Sequence, residues 1–128
     1  MRIFKNKTFT RDAKKFGLKD SDLLAAVAAA ERGLVGADLG GGVIKQRIAR
    51  EGEGKSGGFR TIILLKSGVR AFFVFVFAKN EQENIKKSEL VAFKKLASVL
   101  FDLNDPALKQ ALAAGALIEV SEEDEVIK

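Results

Sequence analysis

Cations crowd one stretch of this chain, among them Lys45, Arg47, Arg50, Lys55, Arg60, Arg70 and Lys79. They surround a glycine-rich segment, EGEGKSGG at 51–58, which is followed at once by Phe59 and Arg60. Lysine and arginine at this density suit phosphodiester binding, and the backbone amides of a glycine turn, with Gly57 and Gly58 at its end, can add anion contacts. The cluster speaks for binding and is not by itself evidence of catalysis. GKSG at 54–57 resembles part of a phosphate-binding loop, yet it lacks the full spacing and joins two strands instead of opening a helix. Nucleotide hydrolysis is therefore set aside. The chain has no histidine and no cysteine. That removes the usual general base, thiolate chemistry, disulfides and the commonest metal ligands. Neither a metal nor a cofactor is expected.

These cations need a frame, and residues 43–81 supply one. Three strands are predicted, Val43–Arg50, 60–66 and 69–78, with the glycine-rich segment as the turn between the first two. TIILL at 61–65 and AFFVFVFA at 71–78 are apolar on both alternating faces, the mark of central strands covered on both sides. Ser67 and Gly68 form a two-residue hairpin link. The first strand is mixed: Lys45 and Arg47 share one face, whereas Ile44, Ile48 and Arg50 share the other. Its plain reading is a half-exposed strand with solvated charges. Upstream, Arg2–Asn6 reads as an edge strand and residues 8–16 as a helix stopped by Gly17. A second helix is capped by Asp20 or Ser21 and stopped by Gly33, and residues 34–42 read as loop. Downstream, Ser88 caps a helix with Leu90, Phe93, Leu96, Ala97, Leu100 and Phe101 on its apolar face. Asp105 then caps a helix with Pro106 at its first position, ended by Gly115, and Leu117–Val120 reads as a short strand.

A chain of 128 residues with 47% hydrophobic content makes one domain with a real core. The net charge of +5 is unevenly spread. Residues 1–118 hold 21 Lys/Arg against 12 Asp/Glu, and the last ten residues hold five acids and one lysine. A basic body with an acidic tail points to a polyanionic partner for the body. The division expected is a domain over 1–118, with a core over 1–103 and an extra helix at about 105–115, then a mobile acidic tail over 119–128. No apolar run reaches the roughly 20 residues of a membrane span, and the first residues lack a signal-peptide core. A cytoplasmic protein without membrane contact is the expectation.

Three pieces together carry a family resemblance: GKSGGFR at 54–60, RAFF at 70–73 and FAKNE at 77–81. In this combined spacing the chain resembles the RelE/HigB toxins of bacterial type II toxin–antitoxin systems. The resemblance covers about residues 1–103 and implies an α+β domain, a twisted antiparallel sheet with helices on one side. It further implies a metal-free, ribosome-dependent mRNA endonuclease, with ribosome and mRNA as partners. A cognate antitoxin silences it in a toxin–antitoxin hetero-oligomer. In such chemistry a 2′-hydroxyl attacks the neighbouring phosphate, which calls for a base, an acid and cations for the phosphorane. Arginine's planar fork suits the phosphorane, so Arg60, and after it Arg47, are the candidates there. Lys55 and Lys79 are assigned as base, acid or phosphate ligand, and Lys45 and Arg50 as further phosphate contacts. The plain alternatives are an ion pair of Arg60 with Glu51 or Glu53, and a solvated strand end for Lys79.

The chain also departs from its relatives. Many of them place a tyrosine near the last strand, and this chain has none. Phe75 and Phe77 stand there instead. Phe77 is the candidate for stacking on RNA, and phenylalanine moves no proton. Two other readings follow from the departure: a gyrase inhibitor like the related ParE branch, and a degenerate domain retained for binding. The antitoxin is expected on exposed helix residues and the cationic sheet, and the stripe of Leu24, Val27, Ala28 and Glu31 is read as core.

Overall fold

A computed structural model describes residues 1–50, 54–79 and 84–120, with backbone only for Arg50 and residues 54–57. The elements are β1 (Arg2–Asn6), α1 (Lys7–Phe16), α2 (Asp20–Glu31), β2 (Ala37–Gly40), β3 (Val43–Arg50), β4 (Gly54–Lys66), β5 (Arg70–Ala78), α3 (Lys87–Phe101), α4 (Asp105–Ala113) and β6 (Leu117–Val120). The fold is α+β, as the sequence implies. Among the described residues the strands form one sheet in the order β2-β3-β4-β5-β1-β6.

The unbroken apolar runs of β4 and β5 explain the architecture, because both of their faces must be buried. Phe72 and Phe73 are both fully buried and point to opposite sides. Phe73 meets Phe9 of α1 at 5.2 Å between ring centres, while Phe72 stacks on Phe4 at 5.2 Å and reaches Phe101 of α3. Accordingly α1 and α2 fill one face with Phe9, Ala13, Leu23 and Val27, and α3 and α4 fill the other with Ala97, Leu100 and Leu108. Each such large side chain stabilises the fold by about 1.5–3 kcal/mol on burial. Helices thus cover both faces, where the family resemblance suggested one.

Several local expectations are also corrected. β1 is interior: it pairs in parallel with β5 and antiparallel with β6, so the sheet is mixed and β6 is the edge. A short strand, β2, forms inside the stretch read as loop and pairs with the start of β3. β4 begins at Gly54, six residues before the predicted strand, and past a break in register after Ile48–Phe59 it pairs once more with β3 at Arg50–Gly54. β5 carries a bulge: Ile62 faces Phe75 and Ile63 faces Phe73, which leaves Val74 unpaired. Beyond it the alternation switches, so Val76 joins Phe73 on the α1 side while Phe75 packs on the α3 side. The hairpin closes by Val69 N donating to Lys66 O at 2.9 Å, with Gly68 at φ +75° in the third position.

The helix caps are read partly correctly. Gly17 ends α1 at φ +74° as expected, and Asn6 starts it by accepting from Phe9 N. α2 and α3 start one or two residues before the predicted caps. Lys19 N and Lys86 N donate to the carboxylates of Asp22 and Glu89, three residues on. In α4 the capping oxygen belongs to Asn104, which accepts from Ala107 N, not to Asp105. Leu117–Val120 forms the short strand read there, β6, so Glu119 and Val120 belong to it and not to the tail, and Val120 is buried. Val27 is core as read, but Ala28 and Glu31 are exposed, so that stripe is not a single buried face. No helix of the described residues is long and apolar enough to cross a membrane.

Candidate phosphate-binding site

The register of the central ladder brings the predicted cations together in part. Arg47 of β3 lies opposite Arg60 of β4, and Arg60 lies opposite Phe77 of β5. Lys45 stands two residues before Arg47, opposite Ile62. These side chains share the α3 face of the sheet. There Lys45, Arg47 and Arg60, with Gly36 and Ala37 as a wall, enclose a cleft of about 270 Å³. Among the described residues, no carboxylate lines it.

Arg60 is the unusual member. It is 8% exposed, and its Nη1 is buried without a hydrogen-bond partner among the described residues. Burial, and then the positive charge of Arg47, push its guanidinium below the ordinary arginine value. Arginine stays charged even so. Two like charges directly opposite across a ladder destabilise the pair, and an unmet buried donor costs about 1–3 kcal/mol. An anion entering the cleft would relieve both penalties at once. Glu51 and Glu53, the alternative partners, lie outside the described residues.

The remaining candidates divide. Lys45 is half-buried and its Nζ reaches Asn84 Oδ1 at 3.5 Å, beside the start of α3. Lys79 is exposed just past β5, and its backbone N donates to Gly58 O at 3.4 Å, which sets it at the same end of the hairpin as Arg60. The side chains of Lys55 and Arg50 lie outside what the structure describes. Three expectations are corrected. Gly57 and Gly58 lie within β4 rather than in a turn, in the irregular stretch between the Ile48–Phe59 and Arg50–Gly54 pairs. Phe77 is 4% exposed and packs on Phe75 at 5.7 Å between ring centres, so its ring belongs to the core and is no platform for a base. Arg70 is drawn to the far end of the sheet, where its Nη1 donates to Leu100 O and Leu103 O at the end of α3.

Sequence reading missed the wall of the cleft. Gln46 is buried and builds it: its Oε1 accepts from Gly36 N, while Nε2 donates to Ala26 O and Leu34 O. Gly36 is required at that point, since a Cβ there would stand 2.7 Å from Lys45 O. The only local signal was a lone amide between Lys45 and Arg47. Among the described residues, no group of three or more Asp, Glu, His or Cys is placed to hold a metal ion.

A search of curated proteins matches nothing. A family model does match: the RelE toxin of the RelE / RelB toxin-antitoxin system, over residues 1–120. The match therefore takes in α4 and β6, beyond the 1–103 on which the motifs rest. With a basic cleft on an α+β sheet and a match over nearly its whole length, this chain belongs to the RelE toxin family and is the toxin of a toxin–antitoxin system.

Proposed function

We propose that this toxin cleaves mRNA at the ribosome, with the Arg47–Arg60 cleft holding the scissile phosphate. The observation that carries the reading is the buried Nη1 of Arg60, unpartnered among the described residues, facing Arg47 in a cleft that no described acid lines. Such a pair is poised for an oxyanion and gains most when the phosphorus carries five oxygens and extra charge. In the reaction the 2′-oxygen bonds to phosphorus as its proton leaves to a base. The bond from phosphorus to the 5′-oxygen then breaks, and that oxygen takes a proton from an acid. The products are a 2′,3′-cyclic phosphate and a 5′-hydroxyl. Lys79, exposed and close to the cleft's end of the hairpin, suits the acid or a phosphate ligand, and Lys55 completes the assignment as base. Lys45 extends the grip along the backbone on one side of Arg47, and Arg50, further along β3 on the other side, is kept as a further candidate phosphate contact. No metal takes part in the scheme.

The test is cleavage on translating ribosomes, with 5′ ends mapped and their chemistry determined, at constant magnesium and with transition metals chelated. Cleavage leaving 5′-hydroxyl ends is expected, and Arg60→Ala should lower its rate about 10²–10³-fold. A ParE-like reading predicts instead that the protein blocks gyrase supercoiling and leaves mRNA intact. Dependence on an added transition metal would rule the scheme out.

A further inference from the structure

The outer edge of β3 is covered for only part of its length. β2 pairs with it from Gly40–Val43 to Ala37–Lys45, and no described strand pairs with that edge beyond Lys45. The cause is Gln46, whose side chain holds Gly36 N and Leu34 O and draws residues 34–36 off the line of β2 toward α2. Leu65 N donates to Gly42 O, so by the alternation of an antiparallel ladder Gln46 turns its backbone groups to β4 and Arg47 turns its own outward. A groove of about 490 Å³ borders this free edge, with Ala29, Leu34, Val35 and Ala49 in its walls, and Leu34 is 63% exposed. The groove continues along α2 past Ala25. It opens on the α2 face of the sheet, while the cationic cleft opens beside the same edge on the α3 face.

We propose that this edge is where an extended segment of the antitoxin docks as an added strand, with side chains alternating between apolar and acidic. A strand added beside Arg47 must present successive side chains to opposite faces. One set would enter the apolar groove along α2. The other would stand by Arg47 and Arg60, where carboxylates meet the cations and Nη1 of Arg60 gains the partner it lacks. Docking of this kind gives affinity through the backbone and blocks the phosphate cleft through charge, in one segment. The proposal rests on membership of a toxin–antitoxin family and not on RNA cleavage, so binding can be measured whatever the toxin's target.

The probe is an end-blocked peptide of seven residues alternating leucine and glutamate, with lysine in place of glutamate as control. Hydrogen exchange and amide chemical shifts of the folded toxin are followed. Expected are at least tenfold slower exchange at the Arg47 amide and shifts at Ala25, Ala29 and Leu34. Leu34→Asp and, separately, Ala25→Arg, both at exposed positions, should each weaken binding tenfold or more. The lysine peptide should not bind. In the purified toxin–antitoxin complex the Arg47 amide should be protected to the same degree. The proposal is overturned if the lysine peptide binds equally, if the shifts map elsewhere, or if the complex leaves that amide exchanging freely. It is equally overturned if the amide becomes protected with rising toxin concentration and no peptide, which would make the edge a contact between toxin copies, or if an RNA oligonucleotide rather than the peptide shifts the groove signals.

Discussion

Arg60 is a residue the fold would do better without. Among the described residues its buried guanidinium nitrogen has no partner and no acid lines its cleft, and it faces a second arginine across the ladder. Replacing a buried charge by an apolar side chain of similar length is often neutral or stabilising. Arg60→Met should therefore leave the urea midpoint at pH 7 unchanged or raise stability by about 1 kcal/mol, while toxicity on induction is lost. A variant that unfolds earlier and stays toxic would show that Arg60 serves the fold. The sequence singles out Arg60 as a candidate from its place after the glycines, but not its position opposite Arg47, because that depends on the strand register. Phe77 was misjudged for the same kind of reason. Its type suits stacking, and only packing against Phe75 on the α3 side reveals it as core.

At the scale of elements, the central strands, the hairpin and the last two helices were legible because each carries its own periodicity or punctuation. β1 was not placed correctly, since pairing with β5 joins residues nearly seventy positions apart and no local pattern names that neighbour. A hint was present nonetheless: Ile3 and Phe4 are consecutive apolar residues, and both are buried, on opposite faces. Nor could the sequence show how α2 is fixed to the β4–β5 hairpin. Glu31, its last residue, accepts from Ser67 Oγ at 2.6 Å and from Gly68 N at 2.7 Å, across the tip of the turn. The hydroxyl of Ser67 first, and the amide of Gly68 next, hold this carboxyl below its ordinary value of 4.5. A carboxyl lowered in the folded state adds stability that is fully present above its unfolded value and is lost as pH falls through the folded one. Glu31→Gln should thus cost about 1 kcal/mol at pH 7, an amount kept small by solvent at this exposed site. The gap between the two proteins should close as pH falls below 4.5. Urea titrations of both proteins at pH 7, 5 and 3 measure it, and a gap that stays constant with pH would remove the carboxylate from the explanation.

Seen whole, the molecule puts its chemistry and its closure at opposite edges of one sheet. The cleft lies by β2 and β3, whereas β6 closes the far edge by pairing Ile3 to Asn6 of β1 with Val120 to Leu117. There Arg2 grips Glu119 through Nε and Nη2 at 2.9 and 3.0 Å while lying over the ring of Phe4. The ion pair is exposed, so Glu119→Gln should cost under about 1 kcal/mol and less as salt is added. The strand itself counts for more. Leu117 and Val120 are both buried, Leu117 in the cluster that contains Leu108 of α4, and β1 loses one of its two ladders without them. A chain ending at Ala116 should be less stable than one ending at Val120 by about 3–6 kcal/mol, from two buried aliphatic side chains at about 1.5–3 kcal/mol each. Urea unfolding of the two chains gives the difference directly. Because β6 is the strand furthest from Arg47 and Arg60 in the sheet order, the shorter chain, assayed well below its melting temperature, should keep the site's affinity for a phosphate ligand. Equal midpoints for the two chains would show that the sheet closes without β6. Loss of affinity in a shorter chain that is still folded would show that the far edge supports the cleft.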